Sequence, residues 1–147
     1  MIVFWAVAGL VAITPSCGSV TPVGALLMGV VAGAVCAWAV GLKYRFGYDD
    51  SLDVVGVHMV GGLVGTLGIG LIASAAAPTA VAGLFYGGGI RQLVVQLVIA
   101  LAALLFTAVL TIVIAFIVKP LGWRISKEDE HTGIDETLHA ETAYELS

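Results

Sequence analysis

Charge is what this sequence has least of. Its 147 residues include six Lys and Arg and ten Asp and Glu, 11% in all, where a soluble domain carries about a quarter. No acid or base occurs from Met1 to Leu42, a run that no soluble core helix needs. With 60% hydrophobic residues and a mean hydropathy of +1.08, the chain reads as an all-α integral membrane protein. The few bases form no cluster, which excludes a nucleic-acid surface. Cysteine is also scarce: Cys17 and Cys36 stand in apolar surroundings without metal-ligand spacing and read as small packing residues. His131 and His139 lie in a hydrophilic tail and form no H-x-x-H or cysteine-containing set, so no metal is expected. G-x-S-x-G, H-E-x-x-H and phosphate-loop motifs are absent, and nothing points to an enzyme or a cofactor. The N-terminus has neither a basic n-region nor a small-residue cleavage site, and reads as a membrane segment that stays.

What is present is apolar sequence in four stretches. The first, about 2–14, is short for a full span and ends in the turn-rich "TPSCGSVTP". The second, about 22–42, would run about 32 Å as a helix, close to a hydrocarbon core of about 30 Å. The third covers about 54–73. The fourth, about 90–118, is long enough to tilt or protrude. Between the last two, Phe85 and Tyr86 suit a membrane interface.

Orientation follows from the bases. Lys43 and Arg45 follow span two, and Lys119, Arg124 and Lys127 follow span four, while Arg91 alone belongs to the other side. The positive-inside rule then places the link after span two and the C-terminus in the cytoplasm, and an even number of spans puts Met1 there too. The expected division is a transmembrane part over 1–119 and a cytoplasmic tail over 120–147. Spans this rich in Gly and Ala present faces that need helical neighbours, so the chain reads as part of a larger bundle.

One span carries chemistry at its start. "DVVGVHMVGG", 53–62, sets an acid and an imidazole at the head of a membrane helix. Asp50 and Ser51 suit an N-cap, and Asp49, Asp50 and Asp53 would lie at the positive end of the helix dipole. Asp53 is expected to complete that cap as an N3 carboxylate, to draw cations to a cytoplasmic mouth, or both. His58 lies about 7 Å further along and about 140° around, so the two side chains are not expected to pair. Gly61, Gly62 and Gly65 are at i+3, i+4 and i+7 from His58 and share its face on a regular helix. Gly61 and Gly65 form a G-x-x-x-G packing pair. His58 is therefore expected to face protein or a lumen, where an ionisable group is a functional candidate; a hydrogen-bonded structural histidine is the alternative. An imidazole offers a donor and an acceptor, which suits passage of a small polar solute or a proton.

Three stretches in order, "AGLVAITPSCGSVTPVGALLMGVVAGAVC" (8–36), "DDSLDVVGVHMVGGLVGTL" (49–67) and "GWRISKEDEHTGIDETLHAETAY" (122–144), closely resemble the C-terminal third of the ammonium transporter family. The resemblance implies four transmembrane helices from the last part of an eleven-helix channel bundle. It also implies a homotrimer in which each subunit has its own narrow apolar pore. Ammonium would be recruited outside, and ammonia and a proton carried inward past two neighbouring histidines. His58 matches the second of these, and Asp53 matches the aspartate near that helix's cytoplasmic start. Met59 departs from the pattern, standing where members usually have glycine, and its thioether would narrow or shift the pore.

The tail is similar to the family's cytoplasmic segment that couples subunits. Thr137 stands where plant members carry a threonine whose phosphorylation closes the channel, and bacterial members bind a PII-type signalling protein at this face. The first seven helices and the first pore histidine have no counterpart here. The expectation is an N-terminally truncated fragment, inactive alone, of an ammonium/ammonia transporter. The alternatives are an interaction or regulatory fragment that joins full-length transporter subunits, and a small independent pore.

Overall fold

The computed structural model describes residues 2–122 and 124–141, and their regular structure is entirely helical. It divides inside one long helix into two compact units, the first ending at Leu104 and the second beginning at Leu105.

In the first unit, α1 (Ile2–Ile13) and α2 (Pro22–Phe46) form an antiparallel pair against which α3 (Val60–Ile72) packs. The start of α2 follows from local chemistry. Thr21 Oγ1 accepts from the Gly24 N–H at 3.2 Å, and Pro22 supplies a preset φ at the first helical position. Its end lies four residues beyond the expected Leu42, because charge at a membrane helix terminus does not stop a helix. Gly47 stops it: at φ 69° it turns left-handed, and its N–H donates to the Lys43 carbonyl at 2.8 Å.

Small residues let these helices meet. Ala12, Val20, Met28 and Ala32 form the core, with Ile13, Ala25, Val64 and Ile72 against it. The Trp5 ring lies directly over Gly33, where any side chain would overlap it. The charge-free link after α1 and the charge-free loop after α3 are laced together. Ser74 N–H donates to Ser19 O (2.9 Å), Thr79 N–H to Gly18 O (3.0 Å) and Thr79 Oγ1 to Ser19 Oγ (3.2 Å). Ser16 is buried beneath this lacing, its hydroxyl donating to Ala12 O and to Met28 Sδ. Cys17 is exposed on the same link, so it is not the packing residue expected; Cys36 is buried.

The fourth long helix, α4 (Arg91–Val118), begins in the first unit, where Gly70 of α3 lies under Leu93. The second unit holds the remainder of α4, a 3₁₀ turn at Lys119–Leu121, a short α5 (Lys127–Thr132) and a π turn at Asp135–His139. Ser126 caps α5 by accepting from the Asp129 N–H at 3.1 Å. Position 123 and the end of the expected tail, 142–147, lie outside the described residues.

Three described helices are long and apolar enough to cross a membrane: Pro22–Phe46, Val55–Ile72 and Arg91–Leu121. The 12 residues of α1 reach about 18 Å, well short of a hydrocarbon core.

Candidate functional site

The histidine-bearing helix starts irregularly. Residues Val55–Met59 form a π turn that runs directly into α3, and His58 lies within it. The residue that opens the helix is Asp53, whose carbonyl accepts from Val57 N–H at 2.8 Å while its own φ is +56°. Aspartate tolerates this left-handed region better than most residues. Asp50 caps from further back than expected. Its two carboxylate oxygens accept from the N–H groups of Val54 (2.7 Å) and Val55 (3.0 Å). Asp53 therefore does not serve as an N3 carboxylate. Its side chain turns to α2, where Lys43 Nζ meets Oδ1 at 2.5 Å and also donates to the Asp50 carbonyl at 3.0 Å. Asp49 and Ser51 are exposed.

Further along, the same face of α2 grips the π turn. Gly56 lies so close to Val40 that a Cβ would stand 2.6 Å from Val40 Cγ2 and 2.9 Å from its backbone nitrogen. Cys36 Sγ donates to the Val57 carbonyl at 3.8 Å. Cys36, Val40 and Lys43 are spaced i, i+4 and i+7, one stripe of the helix. Each holds a successive piece of the chain that leads to the imidazole.

The glycines divide between two sides. At Gly61 a side chain would press on Val11 and Cys36, and at Gly65 it would overlap the Ala12 carbonyl, so both are buried against α1 and α2. Gly62 has nothing within 4 Å. His58 is exposed, and so is Met59. The common face expected for His58, Gly61, Gly62 and Gly65 is thus not a single surface. The packed side runs Gly56, Gly61, Gly65, and the open side carries His58 and Gly62. On a regular helix Gly61 lies about 60° to one side of His58 and Gly62 about 40° to the other, so that one glycine packs while its neighbour stays open.

Sequence reasoning used Lys43 only as a topological charge and missed its pairing. The available signal was a base in the last turn of one helix facing an acid just before the next. The π turn left no signal of its own. Among the described residues no group of three His, Cys, Asp or Glu converges to hold a metal ion. Thr137, in the second unit, is exposed, and its hydroxyl donates to the Gly133 carbonyl at 3.1 Å.

A sequence profile of the ammonium transporter family matches residues 2–144, nearly the whole chain. The chain belongs to that family. An ammonium transporter of Mycobacterium tuberculosis (strain ATCC 25618 / H37Rv) is 55% identical over 148 residues, covering 96% of this chain and 31% of the relative. One from Bacillus subtilis (strain 168) is 45% identical, covering 97% of this chain and 36% of the relative. A third, from Aquifex aeolicus (strain VF5), is 42% identical, covering 95% and 33%. The chain spans about a third of the length of these ammonium transporters.

Proposed function

We propose that the chain serves as a channel-type subunit for ammonium or ammonia transport, with His58 lining the conduction path. One observation carries this reading. The helix spends its packed side on α1 and α2, and carries the imidazole exposed, one turn from a glycine with open space around it. An ionisable group on a membrane helix is costly unless it faces protein or a solute path. The imidazole offers a passing ammonia one donor and one acceptor, and Gly62 leaves the adjacent turn free of side chain. Membership of the family supports ammonium as the solute.

In this reading the four spans belong to an eleven-helix bundle assembled as a homotrimer. Asp49, Asp50 and Asp53 lie at the cytoplasmic start of the pore helix, the orientation supported by the Lys and Arg bias. The tail from 120 is the cytoplasmic coupling segment, with Thr137 as its modifiable residue and a PII-type protein as its partner. The test is His58→Ala in host cells whose only ammonium transporter carries this segment. Ammonium uptake is expected to fall at least tenfold, a loss of about 1.4 kcal/mol of barrier lowering, with unchanged membrane abundance. Unaltered uptake would remove His58 from the path.

A further inference from the structure

We propose that Lys43 is a positioning residue for His58: it pins the left-handed Asp53 through its carboxylate and thereby fixes the π turn from which the imidazole projects. The proposal rests on the transport reading only for its functional consequence. The structural part stands on contacts within the first unit.

Asp53 is held at φ +56°, a left-handed conformation that costs even a tolerant aspartate some strain and that its surroundings hold in place. The enforcing group is one ammonium. Lys43 Nζ bonds the Asp53 carboxylate and the Asp50 carbonyl together, with both side chains largely withdrawn from solvent, at 14% and 32% exposure. Asp50 is fixed at its other end by accepting from Val54 and Val55. The loop residues 50–53 are thus tied to α2 below and to the first N–H groups of the helix above. Four residues after Asp53, Val57 N–H closes on its carbonyl, and His58 follows immediately. Val40 and Cys36 continue the same stripe and hold Gly56 and Val57, but they make only apolar and weak thiol contacts. Lys43 is the member of the stripe that supplies charge-assisted hydrogen bonds, roughly twice as strong as neutral ones.

This changes the role of Asp53. A carboxylate already paired with an ammonium has little charge left to draw a cation to the pore mouth. Its task is conformational. Asp49, exposed on the same link, is the acid left facing outward.

The test uses the isotopically labelled 147-residue chain in bicelles, comparing Lys43→Met, Lys43→Arg and Asp53→Asn. Two quantities are read: hydrogen exchange of the Val54, Val55 and Val57 amides, and the ring chemical shifts of His58. His131 and His139 in the tail serve as internal references. Lys43→Met and Asp53→Asn are expected to speed those three amides about tenfold and to move the His58 ring signals. The Ala32–Ala39 and Gly65–Ile69 amides should stay protected. Lys43→Arg, which keeps the charge and can reach the same oxygens, should restore both readings. The proposal is overturned if Lys43→Met leaves the His58 ring where it was, or if Lys43→Arg fails to restore it. Uptake measured in parallel, with the same substitutions in host cells whose only ammonium transporter carries this segment, separates the two ideas. A displaced His58 ring with unchanged uptake leaves the positioning role intact and defeats the transport role of the histidine.

Discussion

Asp50 has both carboxylate oxygens committed to the first N–H groups of the helix that bears His58, and its backbone oxygen committed to Lys43. No other residue in the link does as much. The cap makes a specific demand: Asp50→Ala strips the acceptors from two amides and should cost about 1–2 kcal/mol. Exchange of the Val54 and Val55 amides is the direct measure, expected to accelerate about tenfold or more, and unchanged protection would show the cap to be idle. At this scale the sequence was half legible. An Asp-Ser pair ahead of an apolar run announces a helix start, and the start is there. What the residue pattern could not disclose was the division of labour between Asp50 and Asp53, because that depends on a positive φ at Asp53 and on a lysine ten residues upstream. Neither is a local preference of the sequence.

At the scale of the element, the two sides of the His58 helix are expected to respond oppositely to the same substitution. Gly65→Ala places a methyl group on the Ala12 carbonyl and must push α1 away, costing about 2 kcal/mol or more. Gly62→Ala meets nothing within 4 Å and replaces a poor helix former with the best, so the fold should be unharmed or gain up to about 1 kcal/mol. Denaturation in mixed micelles by added SDS distinguishes the two; equal losses would contradict the assignment of the faces. Helix positions were largely readable from apolar runs, since Pro22 and the acids at 49–53 punctuate them, but the second span was expected to end at Leu42 and the stop at Gly47 was not readable. Nor was the π turn. Its Gly56 and Val57 meet Val40 and Cys36 of another helix, contacts between segments that no periodicity within one segment records. The open setting of His58 was missed for a related reason: three glycines at i+3, i+4 and i+7 fan across a wide arc, and which of them packs is decided by α1.

For the whole molecule, the dominant fact is apolar surface without a covering. Val23, Leu26, Leu27, Val30, Val31 and Trp38 of α2 are each at least half exposed, far more than a water-facing surface carries. Lipid or other helices must cover such a surface. The family resemblance implies a relay of two histidines, and among the helices described here only His58 offers an imidazole to a membrane path. A polypeptide of these 147 residues produced by itself is therefore expected to give no ammonium-dependent growth in a host lacking its own transporters. Rescue of growth on low ammonium would refute that expectation. Membrane class and family were both legible, the first from the scarcity of charge and the second from three long motifs in order. The assembly was not, because the surfaces that would define it face outward.

The lacing of the two charge-free loops has a practical corollary. Residues 74–79 are clasped at both ends to Gly18 and Ser19, while Ala75 and Ala76 between the clasps are exposed. A protease that nicks the chain there would leave the two fragments held together by the clasps and by the helix contacts beneath them. Splicing a reporter between Ser16 and Ser19 would instead unfasten both loops at once, which makes that stretch the wrong place for a tag.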